Sequence, residues 1–174
     1  MANMIPISTV TVGSGGASSI DFTGIPQTYT DLMVKLSART AYNNIAGSIS
    51  AYVRFNGDAG SNYSGRRLIG TGSSAISDNS STTSFINTFL NITAYTSNTF
   101  GNAEYYIPNY TSSNNKSISV DGVTEHNATL SYAAMVAGLW SNTSPISSIS
   151  IFPEPSTGNF VQYTTATLYG IRKY

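Results

Sequence analysis

The 174-residue chain has a single histidine, His126, beside Glu125 and five residues after Asp121. A histidine near acids, in a chain rich in serine, is the raw material of a Ser-His-Asp relay, in which the imidazole takes the hydroxyl proton and the acid orients the ring. The surroundings do not develop it. No serine sits in a Gly-x-Ser-x-Gly elbow, the strained turn that would expose a nucleophile, so His126 reads as a surface residue on a hydrophilic turn. Glycoside hydrolysis needs two carboxyls facing each other across a sugar. The acids (Asp21, Asp31, Asp58, Asp78, Glu104, Asp121, Glu125 and Glu154) are scattered singly, and only Asp121 and Glu125 are close in sequence. No enzymatic activity is expected.

Metal and phosphate chemistry fare no better. The stretch Asn56-Gly57-Asp58-Ala59-Gly60-Ser61-Asn62 is rich in oxygen, but calcium takes about six to eight oxygens, normally with several carboxylates. One aspartate makes a tight turn between two strands the better reading. With no cysteine in the chain there is neither a disulfide framework nor a thiolate metal site. Neither a phosphate-binding loop nor a dinucleotide fingerprint occurs, and no metal or cofactor is expected. Arg66-Arg67 is the only basic doublet in the body of the chain. It suits a partner acid or a subunit contact and is too small for a nucleic-acid footprint.

Aromatic residues remain. Twelve tyrosines and one tryptophan offer flat apolar faces with hydrogen-bonding tips, suited to sugar stacking and to protein interfaces. Tyr105, Tyr106 and Tyr110 cluster around Pro108, and Trp140 closes an apolar strand. The candidate interface or glycan-binding residues are therefore Tyr105, Tyr106, Tyr110, Trp140, Arg66 and Arg67. Trp140 reads foremost as a packing anchor, while Tyr106 and Tyr110 stand open between packing and an exposed interface.

The elements that would position these residues are strands. Leu32, Val34 and Leu36 alternate with Met33, Lys35 and Ser37, and Ile49, Ala51, Val53 and Phe55 with Ser50, Tyr52 and Arg54. The same period of two recurs in Phe85 to Ala94, Ala103 to Asn109, Lys116 to Val123, Leu130 to Trp140, Pro145 to Phe152 and Phe160 to Ile171, as in strands with one buried face. No window carries helical periodicity with caps. Turn signals such as Gly24-Ile25-Pro26, Asn56-Gly57-Asp58, Ser112 to Asn115 and Pro153 to Asn159 recur every 8–15 residues. They predict an all-β fold: an antiparallel two-sheet β-sandwich, jelly-roll-like, with about nine or ten strands. The segment Gly70 to Ser84 reads as an exposed loop. Residues 1–17 read as an N-terminal strand or exchanged arm followed by a glycine-rich hinge (Gly13-Ser-Gly-Gly16), and residues 18–174 as one domain.

Composition sharpens the setting. Charged residues make up 9% of the chain and sum to zero net charge, against roughly 25% charged in ordinary soluble domains. Polarity comes instead from 27 serines, 21 threonines and 16 asparagines. Such a surface has no field to steer nucleic acid, and it lets identical copies pack closely. No apolar stretch reaches the roughly 18 residues of a membrane span. Met1 to Val12 lacks the basic region and continuous apolar run of a Sec signal.

Several strings stand out together: Asp21-Phe-Thr-Gly-Ile-Pro26 with Thr28-Tyr-Thr-Asp-Leu32; Arg54-Phe-Asn-Gly-Asp58 leading to Gly60-Ser-Asn-Tyr-Ser64 and Arg66-Arg-Leu68; Ile107-Pro-Asn-Tyr110 with Ser113-Asn-Asn-Lys-Ser117; Gly138-Leu-Trp-Ser-Asn142; and Leu168-Tyr-Gly-Ile171. From about Ser18 to the C-terminus the chain resembles β-rich virion structural and tail-fibre-associated proteins of tailed phages, notably cyanophages and other aquatic phages. The resemblance implies a non-enzymatic component of an extracellular virion, made in the host cytoplasm without a Sec signal. As a head decoration module it would lace capsid proteins together; as a tail-fibre or receptor-binding tip it would dock on another virion protein and present loops to a host surface glycan. A homotrimer is expected in either place, without nucleic-acid binding or membrane insertion. The alternative is a stand-alone carbohydrate-binding β-sandwich.

Overall fold

A computed structural model describes residues 3–44, 49–79, 83–127, 131–154 and 158–172. Twelve strands follow one another: β1 (Asn3–Thr11), β2 (Ile20–Phe22), β3 (Asp31–Thr40), β4 (Ile49–Phe55), β5 (Tyr63–Gly70), β6 (Ala75–Asn79), β7 (Ile86–Ile92), β8 (Gly101–Ile107), β9 (Lys116–Val123), β10 (Ala133–Trp140), β11 (Ile149–Pro153) and β12 (Thr165–Arg172). No helix lies among the described residues, and the protein is all-β.

Twelve strands exceed the nine or ten expected, because two of them carry no legible pattern. β2 is only three residues long. β6 lies inside the segment read as a loop, almost wholly exposed and without apolar alternation; its hydrogen bonds to β5, not its side chains, define it. Residues 80–82 of that segment lie outside the described residues, as does Leu130 of the run read as Leu130 to Trp140.

Eight strands form an antiparallel run in the order β1-β12-β3-β8-β9-β10-β5-β6. Four form a second one, β2-β11-β4-β7. The two join where Arg39 and Thr40, the last residues of β3, pair with Asn91 and Ile92 of β7. That pairing is parallel, so the array is mixed rather than purely antiparallel. It does not close on itself: β1, β2 and β6 are its open ends.

The sequence alternation fixes which face each run buries. Leu32, Val34, Leu36 and Ala38 of β3, Tyr105 and Ile107 of β8 and Leu168 of β12 share one cluster with Val53, Phe55, Ile86 and Ile149 of the shorter run. Each such fully buried side chain contributes about 1.5–3 kcal/mol. The opposite face of the long run carries Lys35, Glu104, Asp121 and Ser119, all in solvent. β7 is buried along its whole length, because it also packs on β5, β8, β9 and β10.

The N-terminal strand pairs with β12 of its own chain, with a register shift between Pro6 and Ser8. A proline and a bulge on an edge strand discourage further pairing. The glycines after it close a turn, the Gly16 N–H donating to the Gly13 carbonyl at 3.0 Å. Asn56-Gly57 also forms the expected tight turn, with φ of 51° and 67° and the Asp58 N–H on the Phe55 carbonyl at 2.9 Å. This turn carries the chain from β4 in one run to β5 in the other, so its flanking strands do not form a hairpin.

Gly138 of β10 faces Ile118 of β9 and Ile86 of β7. A methyl group added there would sit 2.6 Å from Ile118 and 2.7 Å from Ile86. Overpacking of this kind costs about 1–3 kcal/mol. Gly138→Ala is therefore expected to lower the calorimetric Tm by roughly 2–10 °C, and an unchanged Tm would mean that the strands have room to separate.

Candidate functional site

The strand registers divide the fold into two ends and an outer face. At one end Trp140 of β10 pairs with Lys116 of β9; at the other, Arg39 and Thr40 close β3. Most of the aromatic residues singled out from the sequence belong to the first end, and they are interior. Trp140 is fully buried, packed on Phe55 with ring centroids 5.5 Å apart and on Tyr63 at 6.3 Å. Its indole N–H donates to Asp58 Oδ2 at 2.8 Å, and the same carboxylate accepts from Asn62 Nδ2 at 2.8 Å and the Gly60 N–H at 2.9 Å. Those three bonds, Trp140's first, hold the Asp58 carboxyl down at about 2. Lys116 is buried beside Trp140 and donates to the carbonyls of Ser112 at 2.7 Å and Asn114 at 2.5 Å.

Tyr105 is in the core, and burial raises its phenol pKa. Tyr110 is fully buried too, its hydroxyl donating to the Pro26 carbonyl. The exposed-interface reading of Tyr110 does not survive, because the turn after β8 folds its ring inward over the 23–30 loop. Tyr106, half-buried, donates its hydroxyl to the buried Asp31 at 2.8 Å.

Arg66 and Arg67 sit on opposite faces of β5. Arg67 turns inward and makes a two-point bond to Asp78, at 2.8 and 2.7 Å, so it has the partner acid that the doublet suggested. Arg66 stays exposed on the outer face. There Leu68 and Met135 pair across strands, 53% and 64% exposed. With Ala137, Ser119 and Arg66 they line an open cleft of about 380 Å³.

The outer face also brings together two carboxylates that are far apart in sequence. Glu104 and Asp121 lie directly opposite each other on β8 and β9, and Lys35 binds Glu104 at 2.8 Å. The row lies in solvent. Glu125 is elsewhere, its Oε1 accepting from the Asn127 N–H at 2.7 Å and the His126 N–H at 2.9 Å, which hold its carboxyl below the usual range. Asp121 thus faces Glu104 across the strands, while Glu125 is engaged by the backbone of its own turn. His126, expected on the surface, is 3% exposed with its ring stacked on Tyr95 at 3.9 Å. Among the described residues no group of three or more His, Asp or Glu side chains is placed to hold a metal.

At the second end stands Arg39, which the sequence reading missed. It is 6% exposed. Its guanidinium donates to the carbonyls of Thr96 at 2.8 Å, Thr99 at 2.7 Å, Tyr95 at 3.0 Å and Thr93 at 3.2 Å, and to the Thr99 hydroxyl at 3.2 Å. Burial lowers its pKa. Its backbone holds a second segment: the Val161 N–H donates to the Arg39 carbonyl at 2.9 Å, and the Arg39 N–H donates to the Thr164 hydroxyl at 3.3 Å.

Between Val161 and Thr164 the chain makes a turn, closed by the Thr164 N–H on the Val161 carbonyl at 3.2 Å. Tyr163 occupies its third position with φ of 71° and is 68% exposed. Glycine or asparagine is the usual residue there; a bulky aromatic costs about 1–3 kcal/mol. Bonds on both sides enforce the strain, the Tyr163 N–H donating to the Val12 carbonyl at 3.0 Å and the Val12 N–H to the Thr164 carbonyl at 2.8 Å. Nothing in the sequence signals this: Gln-Tyr-Thr-Thr carries no glycine, and the turn exists only because Arg39 and Val12 flank it.

Two measurements probe these ends. Arg39→Met removes a donor from the carbonyls of Thr93, Tyr95, Thr96 and Thr99, of which the bond to Tyr95 is the fully buried one and Thr96 keeps the Thr99 hydroxyl as a second donor. An unsatisfied buried group costs about 1–3 kcal/mol, so a fall in Tm of roughly 2–10 °C is expected, and an unchanged Tm would show the 93–99 loop to be self-supporting. Asp58 has a folded pKa below its unfolded one, so its contribution is fully present above about pH 4 and lost as pH falls through about 2. Urea midpoints should therefore fall between pH 4 and pH 2 less steeply in Asp58→Asn than in the parent.

The chain matches no family model, and neither the curated proteins nor the solved structures compared with it include a match.

Proposed function

We propose that the chain is a non-enzymatic surface module of a bacteriophage particle, fixed to another virion protein by the outer face of its long strand run. The phage setting rests on the resemblance carried by the turn and strand strings. The docking role rests chiefly on one observation: Leu68 and Met135 stand exposed and paired across strands on a face whose other exposed side chains include Lys35, Glu104, Asp121, Ser119 and Arg66, beside an open cleft. Large exposed apolar side chains grouped on one face mark interaction surfaces, and Arg66 at the rim adds a residue type enriched in interfaces.

The finer architecture belongs to the same proposal. The two runs share one core and are read as facing layers of a β-sandwich. The chain crosses from one to the other at each step from β1 to β5, in the manner of a jelly roll. Zero net charge allows identical copies to approach closely, which suits a homotrimer. The acids engage in structural bonds or lie on the exposed outer row, which supports a role in holding and binding. Head decoration and a tail-fibre or receptor-binding tip are the two placements of such a module.

Immunogold microscopy of phage particles with antibody to this chain tests the setting. Gold over the head means decoration, gold on the tail means attachment, and no gold on intact particles removes the particle reading. Rebinding of purified chain to particles lacking it tests the face. Leu68→Glu with Met135→Glu should abolish rebinding while leaving the Tm within a few degrees, because both side chains are in solvent. Full rebinding by the double variant would place the docking surface elsewhere.

A further inference from the structure

We propose that the ridge carrying Tyr163 is a binding subsite for a neutral oligosaccharide. The ridge separates two open clefts. One, of about 340 Å³, is lined by Thr93, Ser97, Asn98, Phe100, Gln162 and Tyr163 above Arg39. The other, of about 560 Å³, is lined by Ser14, Gly16, Ala41, Asn159 and Gln162 among others. Both volumes fall in the range of small-ligand sites, about 300–1,000 Å³. Val161 and Gln162 belong to both, so a chain of sugar rings could cross the ridge and occupy either side.

The chemistry of the surfaces selects the ligand. Tyr163 presents an exposed ring, an apolar plane with a polar tip, against which the C–H face of a pyranose stacks. Around it Thr93, Ser97, Asn98 and Gln162 offer neutral hydroxyls and amides, which match sugar hydroxyls as donors and acceptors, beside the apolar Phe100 and Val161. No carboxylate lines either cleft. Among the described lining residues the one cation, Arg39, has its guanidinium committed to the 93–99 loop, so this lining favours a neutral ligand over phosphate, sulfate or an acidic peptide.

The site is also held rigid, which lowers the ordering cost of binding. Arg39 fastens both walls, the 93–99 loop by its side chain and the 161–164 turn by its backbone. Gly16 lets the far wall approach: with φ of 70°, its missing Cβ would lie 2.8 Å from the Phe160 carbonyl oxygen. An aromatic residue kept in a left-handed turn position, where glycine is easier, points to a role for the ring itself.

This inference stands apart from the docking face, since the isolated chain is the reagent. Saturation-transfer NMR would be recorded with hexasaccharides of glucose (α- and β-linked), galactose and N-acetylglucosamine, and with a sulfated hexasaccharide as the anionic comparator. At least one neutral hexasaccharide should bind, with Tyr163 ring protons in contact. Tyr163→Gly should weaken that binding by about tenfold or more without lowering the Tm, because glycine suits the turn. Gln162→Ala should weaken it less. Binding of none of the neutral hexasaccharides, preference for the sulfated one, or full affinity in Tyr163→Gly would each overturn the proposal while leaving the particle reading to its own test.

Discussion

The structure depends most on how one buried cation is satisfied. Arg39 sits at the corner where the long run meets the short one, and among the described residues its guanidinium bonds to carbonyls and a hydroxyl rather than to a carboxylate. A guanidinium out of water must find acceptors for its fork of donors. It finds them in the carbonyls of the 93–99 loop, so that loop can adopt only conformations that turn its carbonyls inward. The same residue's backbone positions the 161–164 turn. The corner between the runs, the β7–β8 connection and the β11–β12 connection are thus one coupled arrangement.

The other end is organised by an anion. Asp58 gathers the Trp140 indole, Asn62 and the Gly60 N–H, converting an oxygen-rich loop into a cap over the aromatic core. Lys116 does the converse beside it, its ammonium drawing in the carbonyls of the 109–115 turn. In a chain only 9% charged, several of the charges are spent on ordering loops inside the fold. The surface left over is mostly hydroxyl and amide, which is compatible with close packing of copies and with recognition of neutral ligands.

The geometry separates two kinds of surface. The outer face of the long run is built of strands and carries Leu68 and Met135 beside an open cleft. The Arg39 end is concave, made of loops, and carries the strained Tyr163. The two surfaces lie on different parts of the fold, so the docking proposed for one and the binding proposed for the other do not compete for the same residues.

The sequence by itself determined the class of structure, the buried faces of most strands and several turns. Period-two alternation places Leu32, Val34 and Leu36 in one layer whatever the neighbours are, and Asn56-Gly57 favours positive φ in any context. Trp140's role as a packing anchor was legible for the same reason, from its place at the end of an apolar strand. What alternation cannot show is where a strand leaves its own sheet. By its period Arg39 continues the exposed series Lys35 and Ser37; it is buried only because β3 crosses to pair with β7. Likewise β6 lacks apolar alternation and is defined by backbone bonds to β5, His126 is covered by Tyr95 from a distant loop, and Glu104 meets Asp121 only through strand register. Tyr163 is the extreme case. Local preference argues against a tyrosine at that turn position, and only bonds from Val12 and Arg39, each more than a hundred residues away in the chain, put it there.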